Sequence, residues 1–216
     1  MLLIAHRTPD LAGGCAAMAA AGARVFEIDV KLDPSGRLVA SHFLPVFGLS
    51  GWLENDGATL RRYRRQQRDP SFADTLALIP SGCDVLLDLK ETRPDRRNLL
   101  GRRLIEAIGD PEGRFVVSTR DRGELQRFAA AGFRSWHTIG SPAELRAARQ
   151  EKHYPDEAIT VRHTLVNATT MPALLALNRR VHVWTVNDPH RARELATLGV
   201  RGITTDSIEV LHAFTD

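Results

Sequence analysis

A chain of 216 residues with 29 lysines and arginines against 26 acids carries a formal charge of +3, an excess too small to mark a nucleic-acid surface. Its two cysteines, Cys15 and Cys83, have no metal-ligand spacing, which argues for reduced thiols rather than a disulfide scaffold. No apolar run reaches the ~20 residues of a membrane span, and residues 2–5 are too few for a signal-peptide core. The expectation is one soluble, cytoplasmic domain, binding no nucleic acid and making no stable membrane insertion; nothing in the composition bears on its oligomeric state.

Taken in order, residues 2–6 form an apolar run ending in His6, followed by an alanine-rich helical stretch over 11–21 that Gly22 stops. A strand over 25–31 follows, and this first strand-helix-strand unit implies parallel pairing by a right-handed crossover. Along that strand Phe26, Ile28 and Val30 share one face while Glu27, Asp29 and Lys31 share the other. After the turn at 33–36 a short strand carries Leu38, Ala40 and His42. Residues 43–69 lose periodicity; the basic run 60–65 there is either a solvated helix face or a lid that brings positive charge to an anion.

A short helix over 71–79 leads to a third strand at 84–90, which presents Asp88 and Lys90 on one face. Strand-helix units then repeat at 115–131, 135–151, 158–178, 181–198 and 202–214. Eight strands, nearly all followed by a helix, predict an α/β fold, a (β/α)8 TIM barrel spanning 1–216 with a reduced loop insertion at about 43–70. An open doubly wound sheet fits less well, because no Gly-rich loop follows the first strand.

In such a barrel, polar residues at the carboxyl ends of strands are where chemistry is done. His6 and Arg7 end the first strand, Glu27 and Asp29 lie on the second, His42 beyond it, Asp88 and Lys90 on the third, and Trp184 near the end of the seventh. Each alone has a structural explanation: a strand-end histidine is more often a hydrogen-bonded structural group, and Glu27 and Asp29 would also serve as ion-pair partners of Lys90. Together they say more. Three acids held close repel one another unless one takes a proton or a hard divalent ion such as Mg²⁺ or Ca²⁺ binds them. Arg7 and Lys90 suit a phosphate, and His6 with His42 can divide acid and base roles in cleaving a phosphodiester. His137, His153, His163, His182 and His190 lack acids or cysteines at ligand spacing and stay outside this set. Arg162 and His163, near the end of the sixth strand, are either specificity or surface residues.

His6-Arg7, Glu27-x-Asp29, His42, Asp88-x-Lys90, Trp184-Thr185-Val186-Asn187 and Gly202-Ile203-Thr204-Thr205-Asp206 make the chain resemble the glycerophosphodiester phosphodiesterase family almost from end to end. The resemblance implies a divalent metal and hydrolysis of a small anionic glycerophosphodiester to an alcohol and glycerol 3-phosphate. It would make His6 and His42 the acid/base pair and Glu27, Asp29 and Asp88 the metal ligands. Arg7 and Lys90 would bind phosphate, and Trp184 would form a wall against glycerol. The chain departs from the family at Thr8 (usually glycine), at residues 10–14, at Phe43 (usually aspartate) and at Asp88 (usually glutamate). A barrel that binds a phosphate ligand without turnover, and a lyase that forms a cyclic phosphate, use the same residues.

Overall fold

The computed structural model describes residues 1–6, 14–41, 51–53, 60–62, 70–90, 94–111, 113–150, 156–178 and 180–215. In chain order its strands are β1 (Leu2–His6), β2 (Val25–Leu32), β3 (Leu38–Ala40), β4 (Gly51–Leu53), β5 (Leu60–Arg62), β6 (Asp84–Leu89), β7 (Phe115–Thr119), β8 (Arg134–Ile139), β9 (Ala158–Arg162), β10 (Val181–Trp184) and β11 (Gly202–Thr205). The helices are α1 (Gly14–Ala20), α2 (Phe72–Ala77), α3 (Pro94–Ile108), α4 (Arg122–Ala130), α5 (Pro142–Ala148), α6 (Met171–Leu177), α7 (Pro189–Thr197) and α8 (Ile208–His212).

Among the described residues eight parallel strands, β1, β2 and β6 through β11, close on one another, because β1 is hydrogen-bonded to β2 on one side and to β11 on the other. An open sheet would leave β1 or another strand with a bare edge; closure makes this the expected (β/α)8 barrel. The short β3 adds to the outside of β2 in antiparallel fashion, with Val30 opposite Ala40. Within the expected insertion, β4 and β5 form an antiparallel pair, and the remainder of 42–69 lies outside the described residues.

Side-chain alternation sorts the strands into two faces. Phe26, Ile28, Val30, Val85, Leu87 and Val117 pack outward against the helices, as do Ile159, Val161, Val183 and Ile203 on the opposite side of the barrel. Inside, Ile4, Val25, Leu86, Val116, Trp136 and Ala158 fill the amino-terminal half of the lumen. His182 joins this plug edge-on to Trp136, with ring centroids 4.4 Å apart. A Cβ on Gly202 would come within 2.8 Å of the His182 ring, so the neighbouring strand keeps glycine there. The lower lumen is thus a packed core that includes the His182 ring, and the carboxylates of β2 and β6 lie above it.

Loops on the carboxyl side end in residues that start the next helix. Asp121, Ser141, Asp188 and Ser207 accept backbone N–H bonds at the first turns of α4, α5, α7 and α8, with Pro142 and Pro189 just inside. Gly22 leaves α1 with φ +107°, the left-handed turn that returns the chain into β2. One helix has no counterpart in the elements read from the sequence: α3, where Leu100 and Leu104 bury one face beneath an arginine-rich exterior. Cys15 and Cys83 are both buried and free, and burial pushes the Cys15 thiol up, with Cys83 adding to the effect. No helix among the described residues is long and apolar enough to cross a membrane.

Candidate active site

Strand register assembles the site. Glu27 on β2 is the partner of His6 on β1, and two residues further along Asp29 is the partner of Asp88 on β6, which in turn pairs with Ser118 on β7. All of these follow the lumenal phase set by Ile4, Val25, Leu86 and Val116, one or two steps above the apolar plug. Glu27 and Asp29 are buried, and Asp88 is half-buried. Oxygen atoms of the three carboxylates lie within 4.8 Å of one another.

Two acids side by side on neighbouring strands repel, and Lys90 sits where it relieves them. The Lys90 N–H continues the ladder by donating to the Val30 carbonyl (2.9 Å), which directs its side chain into the same mouth. Its ammonium lies 3.0 Å from Asp29 Oδ1 and donates to Asp88 Oδ2. Burial works against the charged lysine, but Asp88, Asp29 and Glu27 outweigh it and raise its pKa well above the ordinary value. Ser118 Oγ donates to the second Asp88 oxygen (3.1 Å), so the shorter acid is held from both sides.

His6 Nδ1 lies 2.8 Å from Asp206 Oδ1, and its Nε2 lies 3.9 Å from Glu27 Oε2. Asp206 comes from the loop between β11 and α8, where Asn187 Nδ2 donates to its other oxygen (3.0 Å). Trp184 ends β10 next to Arg162 on β9. The Trp184 indole N–H is buried and finds no acceptor among the described residues. His182, expected to stand apart from the site, is in the plug below it, while burial, then the charges of Arg191 and Arg162, lower the pKa of His163 beside the rim.

Of the residues singled out in the sequence, the structure brings His6, Glu27, Asp29, Asp88 and Lys90 together and sets Trp184 on the lumenal phase of β10. Arg7 and His42, together with Thr8 and Phe43, lie outside the described residues. Ser118 is an addition that the sequence reading missed: a lone serine on an apolar strand carries no signal until β7 is placed beside β6. Asp206 and Asn187 stood within motifs but without roles; their link to His6 joins chain ends 200 residues apart.

The donor set fits a hard divalent cation. Three carboxylates offer only oxygen, and oxygens within 4.8 Å of one another are close enough to share one ion, since two on opposite sides of an ion stand roughly 4 Å apart for Mg²⁺ and about 5 Å for Ca²⁺.

Residues 114–210 match the model of the Glycerophosphoryl diester phosphodiesterase family. Over that stretch, somewhat less than half of the chain, the sequence is similar to that family. The match runs from β7 into α8, so it includes Trp184, Asn187 and Asp206, whereas the carboxylates of β2 and β6 precede it. Solved structures with the same fold include a phosphodiesterase from Oleispira antarctica in complex with the product sn-glycerol-3-phosphate. It is 16% identical, with a TM-score of 0.72, and the alignment covers 100% of this chain and 97% of that one. Another is a glycerophosphodiester phosphodiesterase from Thermotoga maritima, 18% identical with a TM-score of 0.64, covering 97% of this chain and 96% of that one. At such identities the likeness concerns the barrel itself. No curated protein matches the sequence.

Proposed function

We propose that the protein is a metal-dependent phosphoric diester hydrolase that cleaves a glycerophosphodiester to an alcohol and glycerol 3-phosphate. The observation that carries this reading is the convergence of Glu27, Asp29 and Asp88 within 4.8 Å, beside His6 at the carboxyl ends of the strands. The family match over the other half of the barrel supports it, as does the product found in the Oleispira antarctica relative.

Glu27, Asp29 and Asp88 would hold Mg²⁺ or Ca²⁺, which when bound neutralises charge on the phosphate and draws electron density from its phosphorus. His6 handles a proton at Nε2, the nitrogen that faces Glu27 and the acids. His42 is the second acid/base group in this reading, and Arg7 grips phosphate oxygens. Lys90, whose ammonium stands among the same acids, would bring positive charge to the phosphate. Trp184 offers a flat wall to the glycerol and a buried N–H in need of an oxygen acceptor. Water adds its oxygen to phosphorus and gives up a proton as the P–O bond to the departing alcohol breaks, and that alcohol oxygen takes up a proton.

The test is a panel of glycerophosphodiesters assayed with several metal ions, after chelation. Turnover should vanish in excess chelator and return with Mg²⁺ or Ca²⁺, and ¹⁸O from labelled water should enter the first-formed phosphate product. Full activity under chelation removes the metal, an unlabelled first product makes the enzyme a cyclising lyase, and no turnover with any diester reduces the barrel to a binding protein.

A further inference from the structure

His6 has two ring nitrogens, and the proposed chemistry uses only one. Which nitrogen is bare depends on what the other one touches. Asp206 Oδ1 is 2.8 Å from Nδ1, and an ionised carboxylate can only accept, so a neutral ring placed here carries its proton on Nδ1 and leaves Nε2 without one. Nε2 is the nitrogen that points into the mouth, 3.9 Å from Glu27 Oε2.

Asp206 is itself held in place from two directions. Asn187 Nδ2 donates to Asp206 Oδ2 (3.0 Å), and the Asp206 backbone N–H donates back to Asn187 Oδ1 (2.9 Å). The Thr205 hydroxyl donates to the same Asn187 oxygen (3.1 Å), so the amide cannot rotate by half a turn without losing all three bonds. Thr205 Oγ1 also accepts the Ser207 N–H (2.9 Å), and Ser207 opens α8. A chain of bonds thus runs from the loop after β10, through the loop after β11, to the end of β1. Among the described residues, what it sets at the site is the angle and tautomer of one imidazole.

We propose that Asp206 is the positioning residue of His6, with Asn187 setting Asp206, so that Nε2 enters each turnover bare and aimed at the acids. This rests on the reading of His6 as an acid/base group. A turn-forming role alone does not account for the arrangement: the turn is closed by the Asp206 backbone, whereas its side chain is 48% exposed and reaches back to β1.

The tautomer can be read without any turnover. In ¹⁵N-labelled full-length protein at alkaline pH, two-bond proton–nitrogen correlations should show His6 with Nδ1–H and a bare Nε2, the resonance being assigned by its loss in His6→Gln. Asp206→Asn should shift it toward the Nε2–H form that prevails in water. With a diester substrate, kcat should fall about 100-fold and KM stay within about twofold, since outer partners of active-site groups typically contribute 10- to 100-fold. Asn187→Ala should lie between, and Asp206→Glu should recover part of the loss. Thermal unfolding keeps the comparison fair; should Asp206→Asn fail to fold, the wild-type tautomer and Asp206→Glu still decide. An Nε2–H tautomer in the wild type, or an unchanged kcat in a folded Asp206→Asn protein, overturns the proposal. Absence of all turnover in the wild type instead overturns the proposed activity, and the tautomer still decides the role of Asp206.

Discussion

Lys90→Met is the perturbation that most directly separates a metal site from a lysine-centred ion-pair cluster. The ammonium stands 3.0 Å from Asp29 Oδ1, and at an effective dielectric of about 20 that attraction amounts to roughly 5 kcal/mol before desolvation. Asp29 is nearly buried while Lys90 is a quarter exposed, so solvent screens part of it and desolvating the pair offsets more. A net loss of about 3 kcal/mol is expected, because Asp29 and Asp88 then face each other across adjacent strands without that ammonium. For a chain of this size the loss lowers the unfolding midpoint by about 6–12 °C. The assay is thermal unfolding in chelator, repeated at rising Mg²⁺ or Ca²⁺. A divalent ion no longer has a tethered ammonium to displace, so the variant should bind it at least tenfold more tightly than the wild type by calorimetry. An ion at about 100 times its Kd should then return roughly 2.7 kcal/mol, most of what was lost. A variant as stable as the wild type in chelator, or one that metal fails to stabilise, refutes the reasoning.

Other substitutions test neighbouring parts of the site. Asp29→Asn should weaken metal binding at least tenfold by calorimetry while sparing the fold, since it removes a charged donor and keeps the volume. Trp184→Phe keeps the apolar wall but deletes the buried N–H; KM should rise about fivefold to tenfold with little change in kcat. His182 reports on the plug: burial, and secondarily the Arg180 charge, outweigh the pull of Glu157 and lower its pKa from 6.5 to about 4. Its neutral form therefore contributes stability in full above about pH 6.5 that is lost as pH falls toward 4, about 2 kcal/mol of it between pH 7 and pH 5. Denaturant unfolding at the two pH values should show that difference shrinking in His182→Phe, and an equal pH dependence in both proteins would contradict a neutral buried imidazole.

Much of this protein is legible in its sequence because strands and helices advertise their periods locally. Alternation on residues 25–31 assigns Phe26, Ile28 and Val30 to one face and Glu27 and Asp29 to the other, and the structure places the first set against helices and the second in the lumen. The eight strands were readable for the same reason, since each is a short apolar run beside a turn or a capping residue. Helix α3 escaped because its interior holds Gly101 and four arginines, and its two fully buried leucines mean little until α4 and the sheet lie beneath them. What only the tertiary structure decided is proximity. Barrel closure brings β11 against β1, and with it Asp206 to His6; register brings Asp29 level with Asp88 and sets Lys90 between them. Residue types announce which chemistry is available, since a carboxylate or an imidazole behaves as such wherever it lies. Which nitrogen is bare and which acid holds the lysine depend on distances of a few ångströms between strands remote in sequence, and those exist only once the hydrogen-bond ladders have closed the barrel.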